Sequence, residues 1–111
     1  MGTMVFVNFP VADVQRSTAF YEKLGFKKNE EFSTEEASSM MWDDQFWIML
    51  LNHDFYGKFI QEKQIIDAQT TSGALISFSL ESVEAVKQFG ETAKANGGNC
   101  YRVDMGIPEE Q

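Results

Sequence analysis

The chain has 111 residues, of which 43% are hydrophobic and 14% are aromatic. This length suits one folded domain, and the apolar content excludes a disordered chain. Nine Lys and Arg oppose 17 Asp and Glu, and the net charge of −8 disfavours nucleic acid and anionic membrane surfaces as partners. The single cysteine excludes an intramolecular disulfide, and no apolar run approaches the roughly 20 residues of a membrane-spanning helix. We therefore expect a cytoplasmic protein.

The chain begins with a predicted strand and a predicted helix. In the stretch VFVNFPV, one face holds Val5, Val7, Phe9 and Val11, and the other holds Phe6, Asn8 and Pro10. Burying the Asn8 amide unpaired would cost about 1–3 kcal/mol, so this amide should be satisfied by neighbours or face solvent. Asp13 is a suitable N-cap and Gly25 a suitable C-terminal stop, which predicts a helix over residues 13–24.

Three more strands are predicted before the middle of the chain, at residues 27–33, 37–42 and 46–52. The connector that follows has Phe55 and Phe59 four residues apart, as well as Tyr56 and Ile60. This spacing predicts a short amphipathic helix, which could serve as a lid, a subunit contact or plain crossover packing.

The second half of the chain repeats the order of the first. Residues 74–80 alternate, with Ala74, Ile76, Phe78 and Leu80 on one face and Leu75, Ser77 and Ser79 on the other. Ser82 caps a second predicted helix that ends at Gly97, and a strand is predicted over 99–103. An offset of 69 residues places Phe9 on Phe78, Val14 on Val83 and Phe20 on Phe89, which indicates an internal repeat.

These elements predict an α+β fold built from two βαβββ modules in a single domain, residues 1–111. The first module covers residues 4–52, a connector covers 53–72, and residues 73–111 form an incomplete second module without its final hairpin. A missing C-terminal tail of about 20 or more residues would explain the gap, given mean strand and connection lengths. Strands supplied by a partner are the alternative.

The phrase PVADVQRSTAFYEKLGF at residues 10–26, together with the two βαβββ copies, resembles the vicinal oxygen chelate superfamily. The Asp cap, the Ser, the aromatic pair Phe20 and Tyr21 and the Leu-Gly-Phe ending carry the resemblance. This superfamily includes glyoxalase I, the bleomycin and fosfomycin resistance proteins and the extradiol dioxygenases. The likeness implies the glyoxalase/bleomycin-resistance fold over nearly the whole chain.

The resemblance also implies an open cup, with the helices outside and one face of each strand inside, in which a small molecule binds. Asn8 would then look into the cup. The parity that we assign to the strands predicts this lining: Phe6, Asn8, Phe46, Leu50, Asn52, Leu75, Ser77 and Ser79, with Arg102 as a further candidate. Apolar walls with a few polar groups suit a small-molecule site.

Metal-dependent members of this superfamily hold a divalent ion with His, Gln or Glu side chains. The matching positions here are Phe6 on the first strand, Leu50 on the fourth and Leu75 on the fifth, none of which can coordinate an ion. A slip of one residue would offer Asn8, Asn52 and Ser77, a poor ligand set. We therefore predict no metal site and no cofactor.

Other residues are weaker candidates for a catalytic or binding role. His53, the only histidine, could be a general base, but its parity directs it away from the cup. Cys100 has no histidine partner visible in the sequence and is interpreted as a small buried residue. Trp47 shares the parity of Met49 and Leu51, so we expect it to face the helices, which leaves Phe46 as the aromatic candidate for the pocket.

The resemblance implies a small-molecule-binding homodimer, and the residues at the ligand positions predict that it has no superfamily metal site. By analogy with bleomycin-resistance proteins, and in agreement with its negative charge, the protein would sequester a cationic or aromatic compound. The alternative is an enzyme. It could be a metal-dependent lyase similar to lactoylglutathione lyase, a dioxygenase, or a metal-free isomerase. A third possibility is an interaction module whose cup is filled by its own side chains.

Overall fold

The computed structural model describes residues 2–98. The chain divides into two compact units, Met1–Ser72 and Gly73–Gln111. The first unit contains β1 (Val5–Val11), α1 (Val14–Lys23), β2 (Lys27–Lys28), a 3-10 helix (Glu30–Phe32), β3 (Ala37–Met41), β4 (Phe46–Asn52) and α2 (His53–Ile60). The second unit contains α3 (Val83–Ala95).

The four strands form one mixed sheet in the order β1-β4-β3-β2. β1 and β4 are parallel, with Phe6 opposite Trp47 and Asn8 opposite Met49. β2, β3 and β4 are antiparallel neighbours. The turn between β3 and β4 is stabilised by Asp43, whose carboxylate accepts hydrogen bonds from the Gln45 and Phe46 N–H groups at 2.8 and 2.9 Å. Among the strands within residues 2–98, β1 lies at one edge of this sheet, beside β4.

The prediction of the first helix is confirmed, and its ends have the expected local causes. The Asp13 carboxylate accepts a hydrogen bond from the Arg16 N–H at 3.1 Å. Gly25 follows the helix with φ +108°, a conformation that L side chains rarely adopt. The Asp13 cap and the Gly25 stop each involve only a few neighbouring residues, so the sequence alone predicts both ends of α1.

A buried polar pair fixes the face of the sheet that α1 covers. The Thr18 hydroxyl lies 2.8 Å from the Ser38 hydroxyl of β3 and 2.7 Å from the Val14 carbonyl oxygen. α1 packs against β2, β3 and β4. The hydrophobic core of this unit contains Phe26, Ala37, Met40, Trp47, Ile48, Leu50 and Leu51.

The second predicted strand, residues 27–33, is wrong beyond Lys28. The Asn29 side chain accepts a hydrogen bond from the Phe32 N–H at 3.2 Å and so begins a 3-10 helix in place of a strand. The next strand ends at Met41, one residue before the predicted boundary. The short helix predicted in the connector is confirmed as α2, in which the Phe55 and Phe59 rings are in contact at 5.3 Å.

In the second unit, α3 begins after Ser82, whose hydroxyl accepts a hydrogen bond from the Ala85 N–H at 3.0 Å, as predicted. The Phe78 ring packs edge-on against Phe89 at 5.5 Å. Residues 74–80 do not form the predicted strand. An alternating pattern becomes a strand only when a neighbouring strand pairs with it, and none does so within the described part. The strand predicted over 99–103 lies outside the described residues.

None of the helices within residues 2–98 is long and apolar enough to cross a membrane.

Candidate functional site

The strand register assigns every side chain of the first unit's sheet to one of two faces, because residues opposite one another share a face. The helix face is the one that α1 covers; it holds Ser38, Met40, Phe46, Ile48, Leu50 and Asn52, together with Val5, Val7, Phe9 and Val11. The other face, which we call the aromatic face, holds Phe6, Asn8, Pro10, Ala37, Ser39, Met41, Trp47, Met49 and Leu51.

Three aromatic rings form a cluster on the aromatic face. The Phe6 ring lies 5.4 Å from the Trp47 indole, and the Phe32 ring lies 6.1 Å from it. The indole is 9% exposed, whereas Phe6 is 48% and Phe32 is 62% exposed. A buried indole with two exposed rings beside it is a surface on which a planar molecule can pack.

The Trp47 indole is fixed by a polar contact as well as by packing. Its Nε1–H donates a hydrogen bond to the Asp44 carbonyl oxygen at 3.3 Å. A tryptophan whose N–H is satisfied can be buried without an unpaired donor. The ring is thereby held with one orientation toward the face that Phe6 occupies.

The Asn8 side chain lies on the aromatic face, opposite Met49, and it is exposed. This exposure explains why an apolar strand keeps an amide, because the amide remains accessible to water or to a ligand. Asn8 is the next residue after Phe6 on this face, so a polar group borders the aromatic cluster. Its donor and acceptor could orient a ligand that stacks on the rings.

The parity predicted for the fourth strand is wrong. Leu50 has no exposed surface and lies on the helix face, and the Phe46 ring packs against Phe26 at 6.1 Å on that same face. The Asn52 carboxamide oxygen accepts a hydrogen bond from the Phe55 N–H at 2.8 Å and caps α2. Because every residue from Phe46 to Leu51 is apolar, alternation could not distinguish the faces.

Trp47 and Phe32 are the members of the cluster that the sequence analysis did not select. Trp47 was assigned to the helix side by the parity error, and Phe32 was placed in a strand that does not form. The Asp43-Asp44 turn is a sequence signal that could have corrected the assignment of Trp47. The Asp43-Asp44 turn closes a hairpin in which Met41 pairs with Trp47, and the Trp42 N–H bonds to the Phe46 carbonyl oxygen at 2.9 Å.

The residues at the positions predicted for metal ligands do not fit a metal ion. Phe6 lies on the aromatic face, Leu50 lies on the opposite face, and neither has a donor atom. The residue of β4 directly opposite Asn8 is Met49, whose thioether is a soft and weak ligand. Within residues 2–98, no group of three His, Cys, Asp or Glu side chains is arranged to hold a metal.

The site residues predicted in the second half of the chain belong to the second unit. Leu75 is 93% exposed, and Ser77 and Ser79 are exposed as well. Arg102, like Cys100, lies outside the described residues. His53 is an exposed residue at the start of α2, not a strand residue.

The N-terminal third of the chain matches a known family. Residues 3–40 match the family described as bleomycin resistance protein-like N-terminal. This stretch contains β1, α1 and most of β3, so it includes two of the three strands that supply the aromatic face.

The fold matches solved structures. A hypothetical protein from S. aureus superposes with a TM-score of 0.66 at 23% identity, over 87% of this chain and 72% of that chain. A glyoxalase/bleomycin resistance protein/dioxygenase family enzyme from Burkholderia phytofirmans PsJN superposes with a TM-score of 0.61 at 22% identity, over 86% of this chain and 74% of that chain. In its N-terminal sequence and in its fold, the chain is similar to glyoxalase/bleomycin-resistance proteins of the vicinal oxygen chelate superfamily.

These matches confirm the glyoxalase/bleomycin-resistance fold that the helix phrase and the strand order predicted. No curated protein sequence is a significant match to the chain. At these identities the likeness to members of the vicinal oxygen chelate superfamily is one of fold. The chemistry of this chain must therefore be argued from its own side chains.

Proposed function

We propose that this protein binds a small planar aromatic compound, preferably a cation, on the aromatic face of its first unit. The observation that supports the proposal is the cluster of Phe6, Phe32 and Trp47, in which two rings remain about half exposed or more. Exposed aromatic rings grouped on one side of a sheet offer stacking to a flat ligand and cation–π attraction to a positive one.

Charge supports the preference for a cation. The chain has a net charge of −8. Glu30 and Glu31 directly precede Phe32 in the 3-10 helix, and Asp44 is an exposed residue of the turn that precedes β4. Acidic groups around an apolar surface raise the local concentration of cationic ligands. The matching family is named for resistance to bleomycin, which agrees with a ligand that is sequestered.

Binding can be tested with tryptophan fluorescence, because the chain has two tryptophans. The variant Trp42→Phe leaves Trp47 as the single reporter within the cluster. We expect saturable quenching of Trp47 emission on titration with bleomycin or with proflavine, a smaller planar cation. Anthracene sulfonate, a planar anion, should bind more weakly than proflavine.

Two matched variants locate the site. Phe6 and Phe9 lie on the same strand but on opposite faces. Phe6→Leu should weaken proflavine binding by about 2- to 30-fold, the factor that corresponds to loss of a cation–π contact. Phe9→Leu should leave the affinity unchanged. Equal losses in both variants, or no saturable quenching with any of these probes, would contradict the proposal.

We also propose that binding needs no metal ion. The support is the donor chemistry of the aromatic face, where Phe6 and Met49 stand near Asn8 and offer no ionised ligand. Elemental analysis of protein purified without chelators provides the test. Stoichiometric Ni, Zn, Fe or Mn would contradict this part of the proposal and would favour a metal-dependent lyase or dioxygenase.

Our proposal includes a cytoplasmic homodimer. The support is β1, which lies at an edge of the sheet in the described part of the chain and on which Val5 and Phe6 are 49% and 48% exposed, since such an edge can associate with another chain. Light scattering coupled to size exclusion should give twice the mass of one chain. A monomer at micromolar concentration would contradict the dimer without affecting the ligand site.

A further inference from the structure

The 3-10 helix that carries Phe32 is attached to β3 by hydroxyl groups. The Ser39 hydroxyl donates a hydrogen bond to the Phe32 carbonyl oxygen at 2.6 Å. The Ser33 hydroxyl accepts the Ser39 N–H at 3.0 Å and donates to the Asn29 carbonyl oxygen at 2.6 Å. Ser39 has no exposed surface, so water does not compete for its bond.

The N–H of Phe32 is held from the other side. The Asn29 side chain accepts it at 3.2 Å, and the Asn29 N–H in turn donates to the Ser39 carbonyl oxygen at 2.8 Å. Both polar backbone groups of Phe32 are therefore engaged, although its ring is 62% exposed. The position of the Phe32 backbone beside Trp47 is therefore fixed at two points, and from that position the ring contacts the indole at 6.1 Å.

We propose that Ser39 is a positioning residue, which holds Phe32 against Trp47 so that the aromatic cluster exists before a ligand arrives. The inference rests on the proposed binding function. Its physical basis is preorganisation: a side chain already in place loses less conformational freedom when the ligand binds. Without the Ser39 hydroxyl, Phe32 would have to be ordered by the ligand, and the affinity would fall.

The neighbouring residue offers a matched control. Ser38 is also buried, at 1% exposure, but it lies on the helix face and contacts Thr18 and Met40. Ser38→Ala and Ser39→Ala each remove one buried hydroxyl from the same strand. Only Ser39→Ala removes a contact with Phe32.

Proflavine titrations in the Trp42→Phe background test the inference. Ser39→Ala and Phe32→Leu should each weaken binding by about two- to tenfold, the range for one aromatic contact. The double variant should bind no more weakly than Phe32→Leu alone, because Ser39 acts through Phe32. Ser38→Ala should retain the parent affinity under conditions in which it is folded.

A measurement without ligand separates this inference from the proposed function. The indole N–H resonance of Trp47 should shift in Ser39→Ala and in Phe32→Leu, because both change the ring beside the indole, and it should not shift in Ser38→Ala. If the parent protein binds no proflavine, the proposed function fails, and the resonance still tests the role of Ser39. Additive losses in the double variant, or an unshifted resonance in Ser39→Ala, would overturn the inference.

Discussion

The face on which Leu50 lies has a measurable consequence for stability. Leu50 has no exposed surface and packs beneath α1, so Leu50→Ala removes a fully enclosed side chain. Such truncations lower the free energy of unfolding by about 3–5 kcal/mol at well-packed sites. This loss includes the transfer free energy of the removed atoms and the cost of the cavity that remains. For a domain of this size the melting temperature should fall by about 12–20 °C, taking ~4 °C for each kcal/mol. Met49→Ala, at a half-buried position on the aromatic face, should cost about 1–2 kcal/mol.

Urea unfolding followed by tryptophan emission suits this comparison, since Trp42 and Trp47 both belong to the first unit. The parent and the two variants should have similar dependences of the unfolding free energy on urea concentration, so that the midpoints report stability. A loss of less than about 1 kcal/mol for Leu50→Ala would place this side chain on an open surface. That result would refute the register of β4 and, with it, the aromatic face.

Three further predictions concern α1 and its ends. Asp13→Ala should lower the free energy of unfolding by about 1 kcal/mol, because it removes the cap on the Arg16 N–H, and urea unfolding should show it. Gly25→Ala should lower the melting temperature in thermal unfolding, because φ is +108° there and Trp42 leaves an added Cβ little room. Burial raises the pKa of the Tyr21 hydroxyl above its ordinary value of 10.0. Unfolding therefore releases this proton more readily, and stability should fall as the pH rises above 10.0, with a smaller fall in Tyr21→Phe.

The helix ends could be predicted from residues that are near one another in the sequence. Asp13 and Ser82 cap α1 and α3 as predicted, and Gly25 ends the first helix with positive φ. Each cap depends on a side chain and an N–H group three residues away, and the Gly25 stop depends on the conformation of that one residue. Nothing distant can change these contacts greatly, so the sequence is sufficient for them.

Only part of the candidate site could be predicted from the sequence, because the rest depends on contacts between residues that are far apart in the chain. Phe6 and Asn8 alternate with Val5 and Val7, so their common face could be read from the first strand. β4 offers no such contrast, because its residues are apolar on both faces. Its parity is decided by hydrogen bonds to β1 and β3, which lie far away in sequence.

The sequence by itself determined the helices and their ends, the first and fourth strands, the superfamily likeness and the common face of Phe6 and Asn8. The tertiary structure decided that Trp47, and not Phe46, lies beside Phe6, and it placed Phe32 in the same cluster. The physical reason is that a helix cap is a contact between near neighbours, whereas the face of a doubly apolar strand depends on its pairing with other strands. The aromatic face is therefore a property of the assembled sheet.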